Sequence, residues 1–156
     1  MDIVEILKQN GLTAGMSDEQ AARLASLAVC EEYAPGSSLI IEDDTGRDIF
    51  IVYDGLVSFE MKNTLANSSG NSADNKYEIL FYKGIAGELS FIDGHKRSAT
   101  VVAMDEVKAI RLPFQKLSAL LENDKDIGFI FLRNLCGTLC RKVRHSSDQL
   151  KNQMLL

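Results

Sequence analysis

From Pro35 onward the apolar residues of this chain stop recurring at helical spacing and begin to alternate. Val57, Phe59 and Met61 alternate with Ser58, Glu60 and Lys62, the period of a strand buried on one face. Pro35-Gly36 is turn chemistry, with proline presetting φ and glycine accepting a positive one. Asp54-Gly55 lies between two apolar runs, a strong hairpin signal. Strand patterns resume at Tyr77–Tyr82, at Thr100–Ala103 and at Val107–Leu112. Many short strands separated by turns predict a β-barrel or jelly roll over residues 35–112.

Both flanks are helical. Ile3, Ile6 and Leu7 give residues 2–9 one apolar face, and Asn10-Gly11 ends that helix. Ser17-Asp18-Glu19-Gln20 reads as a capping box, in which the serine caps the helix and the glutamine reaches back. The helix it opens runs through Ala21, Leu24, Ala25 and Leu27. Pro113 suits a first helical position, and Phe114, Leu117, Leu120 and Leu121 follow it until Glu122-Asn123-Asp124 breaks the helix. Ile127, Phe131, Leu135, Leu139 and Val143 then form an apolar stripe on a long helix. The reading is one α+β domain over 1–156. It has N-terminal helices at 1–34, the β region at 35–112 and C-terminal helices at 113–156. Residues 63–76 are polar and low in complexity, which predicts a flexible hairpin tip.

Charge and cysteine content narrow the function classes. A net charge of −5 argues against a nucleic-acid-binding body, though not against a small anion met by one local arginine. The start, Met1-Asp2-Ile3-Val4, has neither the basic residues nor the apolar core of a signal peptide. The run Ile127–Leu132 is far too short to span a bilayer, so a cytoplasmic protein without membrane contact is expected. Cys30, Cys136 and Cys140 show no disulfide-framework spacing and are expected to be reduced, small packing residues. Two cysteines four apart do not make a closed metal site, and no metal or cofactor is expected. His95 and His145 have no serine or cysteine partner at motif spacing, so no enzyme is expected.

The chemistry concentrates in Gly87-Glu88-Leu89-Ser90-Phe91-Ile92-Asp93-Gly94-His95-Lys96-Arg97-Ser98-Ala99-Thr100. A carboxylate stands nine residues before a guanidinium, with a glycine ahead and small residues behind. An arginine beside small residues presents a planar fork and main-chain N–H groups to one phosphate. A glutamate nearby can accept from a sugar hydroxyl. The segment closely resembles the phosphate-binding cassette of cyclic nucleotide-binding domains, the family of catabolite activators and protein kinase A regulatory subunits. Glu31–Ile40, with an aromatic before Pro-Gly, resembles the family's opening strand, and Asp48–Val57 its next hairpin.

The resemblance implies a regulatory domain that binds cyclic AMP or cyclic GMP. Arg97 would take the cyclic phosphate and Glu88 the ribose 2′-hydroxyl. Gly87 would allow close approach, while Leu89, Ser90 and Ala99 would offer main-chain N–H groups. Ser98, which can touch base or phosphate, leans the reading to cyclic AMP. In the family a base contact usually also comes from the last helix, where Arg133, Asn134 and Thr138 are candidates. Three departures stand out: Ala86 before Gly-Glu, a segment 83–88 one residue short, and Lys96 where proline is frequent. Family members that control transcription continue into a DNA-binding helix-turn-helix, whereas this chain stops at Leu156. The expectation is therefore a sensor that does not bind DNA and signals to a separate protein effector. The last helix would act as a lid or as the seam of a homodimer. The alternatives are a degenerate interaction or dimerisation module that binds no nucleotide, and the effector domain of a transcription regulator lacking its DNA-binding part.

Overall fold

The computed structural model describes residues 2–62, 76–81 and 83–154. Two compact units divide the chain: Leu27–Leu117, and Met1–Ser26 together with Ser118–Leu156.

The unit Leu27–Leu117 carries eight strands among the described residues: β1 (Val29–Tyr33), β2 (Ser38–Ile40), β3 (Ile49–Asp54), β4 (Val57–Lys62), β5 (Lys76–Phe81), β6 (Gly84–Ala86), β7 (Thr100–Ala103) and β8 (Val107–Leu112). They pair antiparallel into two four-stranded sheets, ordered β1-β8-β3-β6 and β2-β7-β4-β5. Of the two architectures expected from the strand pattern, the result is the jelly roll, because the sheets do not close into a barrel. Leu39, Ile40, Phe50, Val52, Val57, Val101, Ala103, Val107 and Ala109 bring both sheets into one apolar core. Ile49-Phe50-Ile51-Val52 is buried on both faces of a central strand, which is why β3 reads as a continuous apolar run rather than an alternating one. Each such side chain contributes about 1.5–3 kcal/mol on full burial, so β3 is a firm base for the residues just ahead of it. The alternation expected of β4 fails at Ser58, which is fully buried on a strand flanked by β5 and β7.

This topology brings distant segments to one place. β6 pairs with β3, Phe50 opposite Ala86, so the chain leaving β6 at Gly87 passes the residues that lead into β3. β2 pairs with β7, which sets the loop after Ile40 beside the segment before Thr100. The Glu42 N–H donates to Thr100 Oγ1 at 2.9 Å across that junction. The hairpin tip expected at 63–76 lies outside the described residues up to Asn75, and Lys76 opens β5.

The second unit contains α1 (Ile3–Gln9), α2 (Asp18–Ala25) and α5 (Lys125–Met154); α4 (Phe114–Asn123) has residues in both units. The capping box forms as expected: Ser17 Oγ accepts from the Gln20 N–H, and Gln20 Oε1 accepts from the Ser17 N–H. Leu27 falls beyond the end of α2. Asp124 joins α4 to α5, accepting at one carboxylate oxygen from the Ile127 N–H and at the other from Arg23, 2.5 Å away. The stripe of α5 divides. Ile127, Phe131 and Leu135 are wholly buried, Leu139 is half-buried and Val143 is 65% exposed. The cysteine expectation is corrected here. All three thiols are free, but all three are exposed and none packs as a small core residue. Among the described residues no helix is long and apolar enough to cross a membrane.

Candidate functional site

The short helix α3 (Glu88–Asp93) follows β6 directly. Gly87 is its N-cap, with φ of +84°. A side chain there would be strained and would also collide: a Cβ would lie 2.5 Å from Arg97 Nη1 and 2.7 Å from the Asp48 carbonyl oxygen. Glycine at 87 is what lets the arginine lie against the turn.

Arg97 and Glu88 are both only 5% exposed, and Ser90 is buried between them in sequence. Neither charged residue is a surface side chain. Burying charge is costly unless it is partnered, and for Arg97 the partners are plain. Nη1 donates to the Gly87 carbonyl at 3.0 Å and Nη2 to the Asp48 carbonyl at 2.7 Å. Its main chain is pinned as well: the Arg97 N–H donates to the Asp44 carbonyl, and the Arg97 carbonyl accepts from the Asp43 N–H, both at 2.9 Å. Asp43 takes a left-handed φ of 68° to do this, a conformation that aspartate tolerates better than most residues. A guanidinium has five N–H bonds. The two carbonyls orient the group while occupying two of them. Burial pulls the Arg97 pKa below its ordinary value, and the charges of Asp48, Asp44 and Glu88 oppose that shift. The result is an oriented cation in a partly desolvated place, an arrangement suited to an anion.

The other expected site residues are distributed around this pair. Ala99 is buried, Gly87 half-buried, and Leu89 and Ser98 are exposed. Sequence reasoning missed the loop Ile41–Asp48. Its Asp44 and Asp48 hold Arg97, and Gly46 passes close to the same guanidinium. The Asp48 carboxylate continues the network, accepting from Arg111 Nη1 at 3.0 Å and from the Phe114 N–H at 2.7 Å. Arg111 Nε donates to Glu31, which also accepts from the Tyr33 hydroxyl. Burial first, and Glu31 second, push the Tyr33 phenol above its usual value. A lone aspartate ahead of a strand carries no sequence mark of these duties.

The α5 residues considered for base contact are engaged inside their own unit. Asn134 Nδ2 donates to the carbonyls of Leu12 and Ala14, at 3.0 and 2.9 Å. Arg133 reaches the Ala14 carbonyl and lies over the Phe129 ring. Thr138 Oγ1 donates to the Asn134 carbonyl and accepts from Arg141.

Residues 30–124 match the model of the cyclic nucleotide-binding domain. The chain belongs to that family. Family members are regulatory binding domains, and the cyclic nucleotide is their ligand rather than a substrate. A curated relative is the CRP-like cAMP-activated global transcriptional regulator of Mycobacterium tuberculosis, 22% identical over 94% of this chain. The chain spans 61% of that relative's length. Among solved structures, a cyclic nucleotide-binding domain from Methylobacillus flagellatus is 26% identical, with a TM-score of 0.81 over 97% of this chain and 82% of its own. The regulatory domain of Toxoplasma gondii protein kinase A, solved with cAMP, shares the fold at 17% identity. Its TM-score is 0.67 over 92% of this chain and 49% of that one.

Proposed function

We propose that this domain binds cyclic AMP in preference to cyclic GMP at the cassette 87–100 and acts as a sensor without catalysis. The observation that carries the reading is the buried Arg97, oriented by two main-chain carbonyls in a segment that also buries Glu88. In this reading Arg97 meets the cyclic phosphate, and the Glu88 carboxylate accepts from the ribose 2′-hydroxyl. Leu89, Ser90 and Ala99 contribute main-chain N–H groups, and Gly87 supplies room. Ser98, exposed at the rim, meets the base or the phosphate. The preference for adenine is supported by relatives described as cAMP-activated or solved with cAMP. The bound state is passed to an effector, with the last helix as lid or homodimer seam.

A second reading has its own support. The curated relative is a transcriptional regulator of which this chain spans 61%, so the domain can serve as the sensing half of such a regulator. In either case DNA contact by these residues themselves is not expected at a net charge of −5.

The test is calorimetry of the purified chain with cyclic AMP, cyclic GMP and 5′-AMP. Saturable binding is expected for cyclic AMP, weaker binding for cyclic GMP and weakest for the open 5′-phosphate. No heat from either cyclic nucleotide at millimolar concentration would overturn the reading in favour of a degenerate interaction module.

A further inference from the structure

Arg47 lies 50 residues before the cassette's own arginine, yet it holds the cassette's other arm. Its Nε donates to the Ser90 carbonyl at 3.0 Å and its Nη2 to the Phe91 carbonyl at 2.8 Å. These are carbonyls near the end of α3. A helix of six residues has almost no internal hydrogen bonds with which to hold itself. Two of the stabilising main-chain bonds here are Phe91 N–H to Gly87 and Gly94 N–H to Ser90. The Arg47 fork adds a charge-assisted pair at the end where cations are favoured.

The same guanidinium stacks on Phe114, its central carbon 3.9 Å from the ring centroid. Phe91, on α3, meets that ring edge-on at 5.7 Å between centroids and 72° between planes. Arg47 is thus enclosed by the carbonyl end of α3 on one side and by the first residue of α4 on the other. The next residue, Asp48, joins the same two places. Its carbonyl accepts from Arg97, and its carboxylate accepts from the Phe114 N–H. Two consecutive residues at the head of the well-anchored β3 therefore hold the helix bearing Glu88, the guanidinium of Arg97 and the start of α4.

We propose that Arg47 is a positioning residue for cyclic nucleotide binding. It does not touch the ligand. It fixes α3, and so Glu88, relative to Arg97, and it transmits any shift of the cassette to Phe114. This inference rests on the reading of the cassette as the nucleotide site. Loss of Arg47 leaves both anchoring side chains in place but frees the segment that carries one of them. Part of the binding free energy must then go into ordering that segment. The effect falls on affinity and dissociation rate, which generic destabilisation does not change in the molecules that remain folded.

The experiment measures the dissociation constant and dissociation rate of a fluorescent cyclic AMP analogue, with melting temperatures of the free proteins alongside. The variants are Arg47→Ala, Arg47→Lys, Phe114→Leu and the Arg47→Ala/Phe114→Leu double, with Ile6→Val as a mildly destabilised control remote in sequence from the cassette. Arg47→Ala is expected to weaken binding about tenfold or more, through faster dissociation. Arg47→Lys should recover only part of this, since an ammonium keeps the charge but lacks the fork. Ile6→Val should lower the melting temperature and leave affinity unchanged. The double variant should bind no more weakly than Arg47→Ala alone, because ring and guanidinium act through one contact. Should Arg47→Ala not fold, Arg47→Lys decides the matter. Wild-type affinity in Arg47→Lys, with the wild type itself binding, overturns the positioning role and leaves the nucleotide reading intact. No binding by the wild type removes that reading and this inference together.

Discussion

Arg97 and Asn134 are each held by two main-chain carbonyls, and they serve opposite ends. Asn134 has two N–H donors on its amide and gives both, to Leu12 and Ala14. It is saturated, and its effect is to tie α5 to the turn after α1. Arg97 has five donors and spends two, on Gly87 and Asp48. It is aimed rather than saturated. If Arg97 is the phosphate anchor proposed above, the difference separates a structural polar residue from a binding one more clearly than burial or charge does. It also bears on base recognition, because the α5 groups considered for it already have partners in their own unit.

This comparison can be broken by substitution. Arg97→Ala should cost about 2–5 kcal/mol of cyclic AMP affinity, the range for truncating one partner of a desolvated charged pair. Calorimetry against the wild type reads it directly, and retained affinity would show that the oriented guanidinium is not the phosphate anchor. Asn134→Ala should do the reverse. Leaving the Leu12 carbonyl without this donor, while Ala14 keeps Arg133, should cost about 1–2 kcal/mol of stability, measured by urea unfolding, with cyclic AMP affinity unchanged. A loss of affinity in this variant would mean that α5 does reach the ligand.

The smallest effect is expected at Asp124, a polar group that is structural like Asn134 but titratable. Its carboxyl is held below the usual carboxylate range, first by the Ile127 N–H and then by Arg23. A group whose folded pKa is depressed adds stability that is present above its unfolded value. That stability is lost as pH falls through the folded one. Asp124→Asn should therefore lower the melting temperature slightly at neutral pH, and the difference from wild type should shrink as the solution is acidified. Melting curves at several pH values check it, and a difference that grows in acid would contradict the sign.

Much of the fold was legible because local chemistry dictated it. The capping box at Ser17–Gln20 and the strands Thr100–Ala103 and Val107–Leu112 depend on residues adjacent in the chain. The hairpin expected at Asp54-Gly55 is corrected: the turn joins β3 to β4, but the two strands lie in different sheets, since β3 pairs with β6 and β8 while β4 pairs with β5 and β7. β6 was not legible. Gly84-Ile85-Ala86 has neither alternation nor β-branched enrichment beyond Ile85, and only pairing with β3 makes it a strand. The exposure of the cysteines and the burial of Ser58 escaped for a related reason. Residue type gives a tendency to be buried, while neighbours in space decide it. The apolar stripe of α5 likewise names a face without saying where along the helix that face stops being covered.

At the site, the chain's own order determined that a glycine, a carboxylate and an arginine would share one segment with small residues behind. That spacing is short enough for local geometry to bring them together. What only the tertiary structure decided is how Arg97 is aimed and what holds α3. The groups responsible, Asp44, Arg47 and Asp48, lie some forty to fifty residues earlier. They reach the cassette because β2 pairs with β7 and β3 with β6. Hydrogen bonds between strands join residues without regard to their separation in sequence, so no local pattern at Arg47 could announce the carbonyls it would meet.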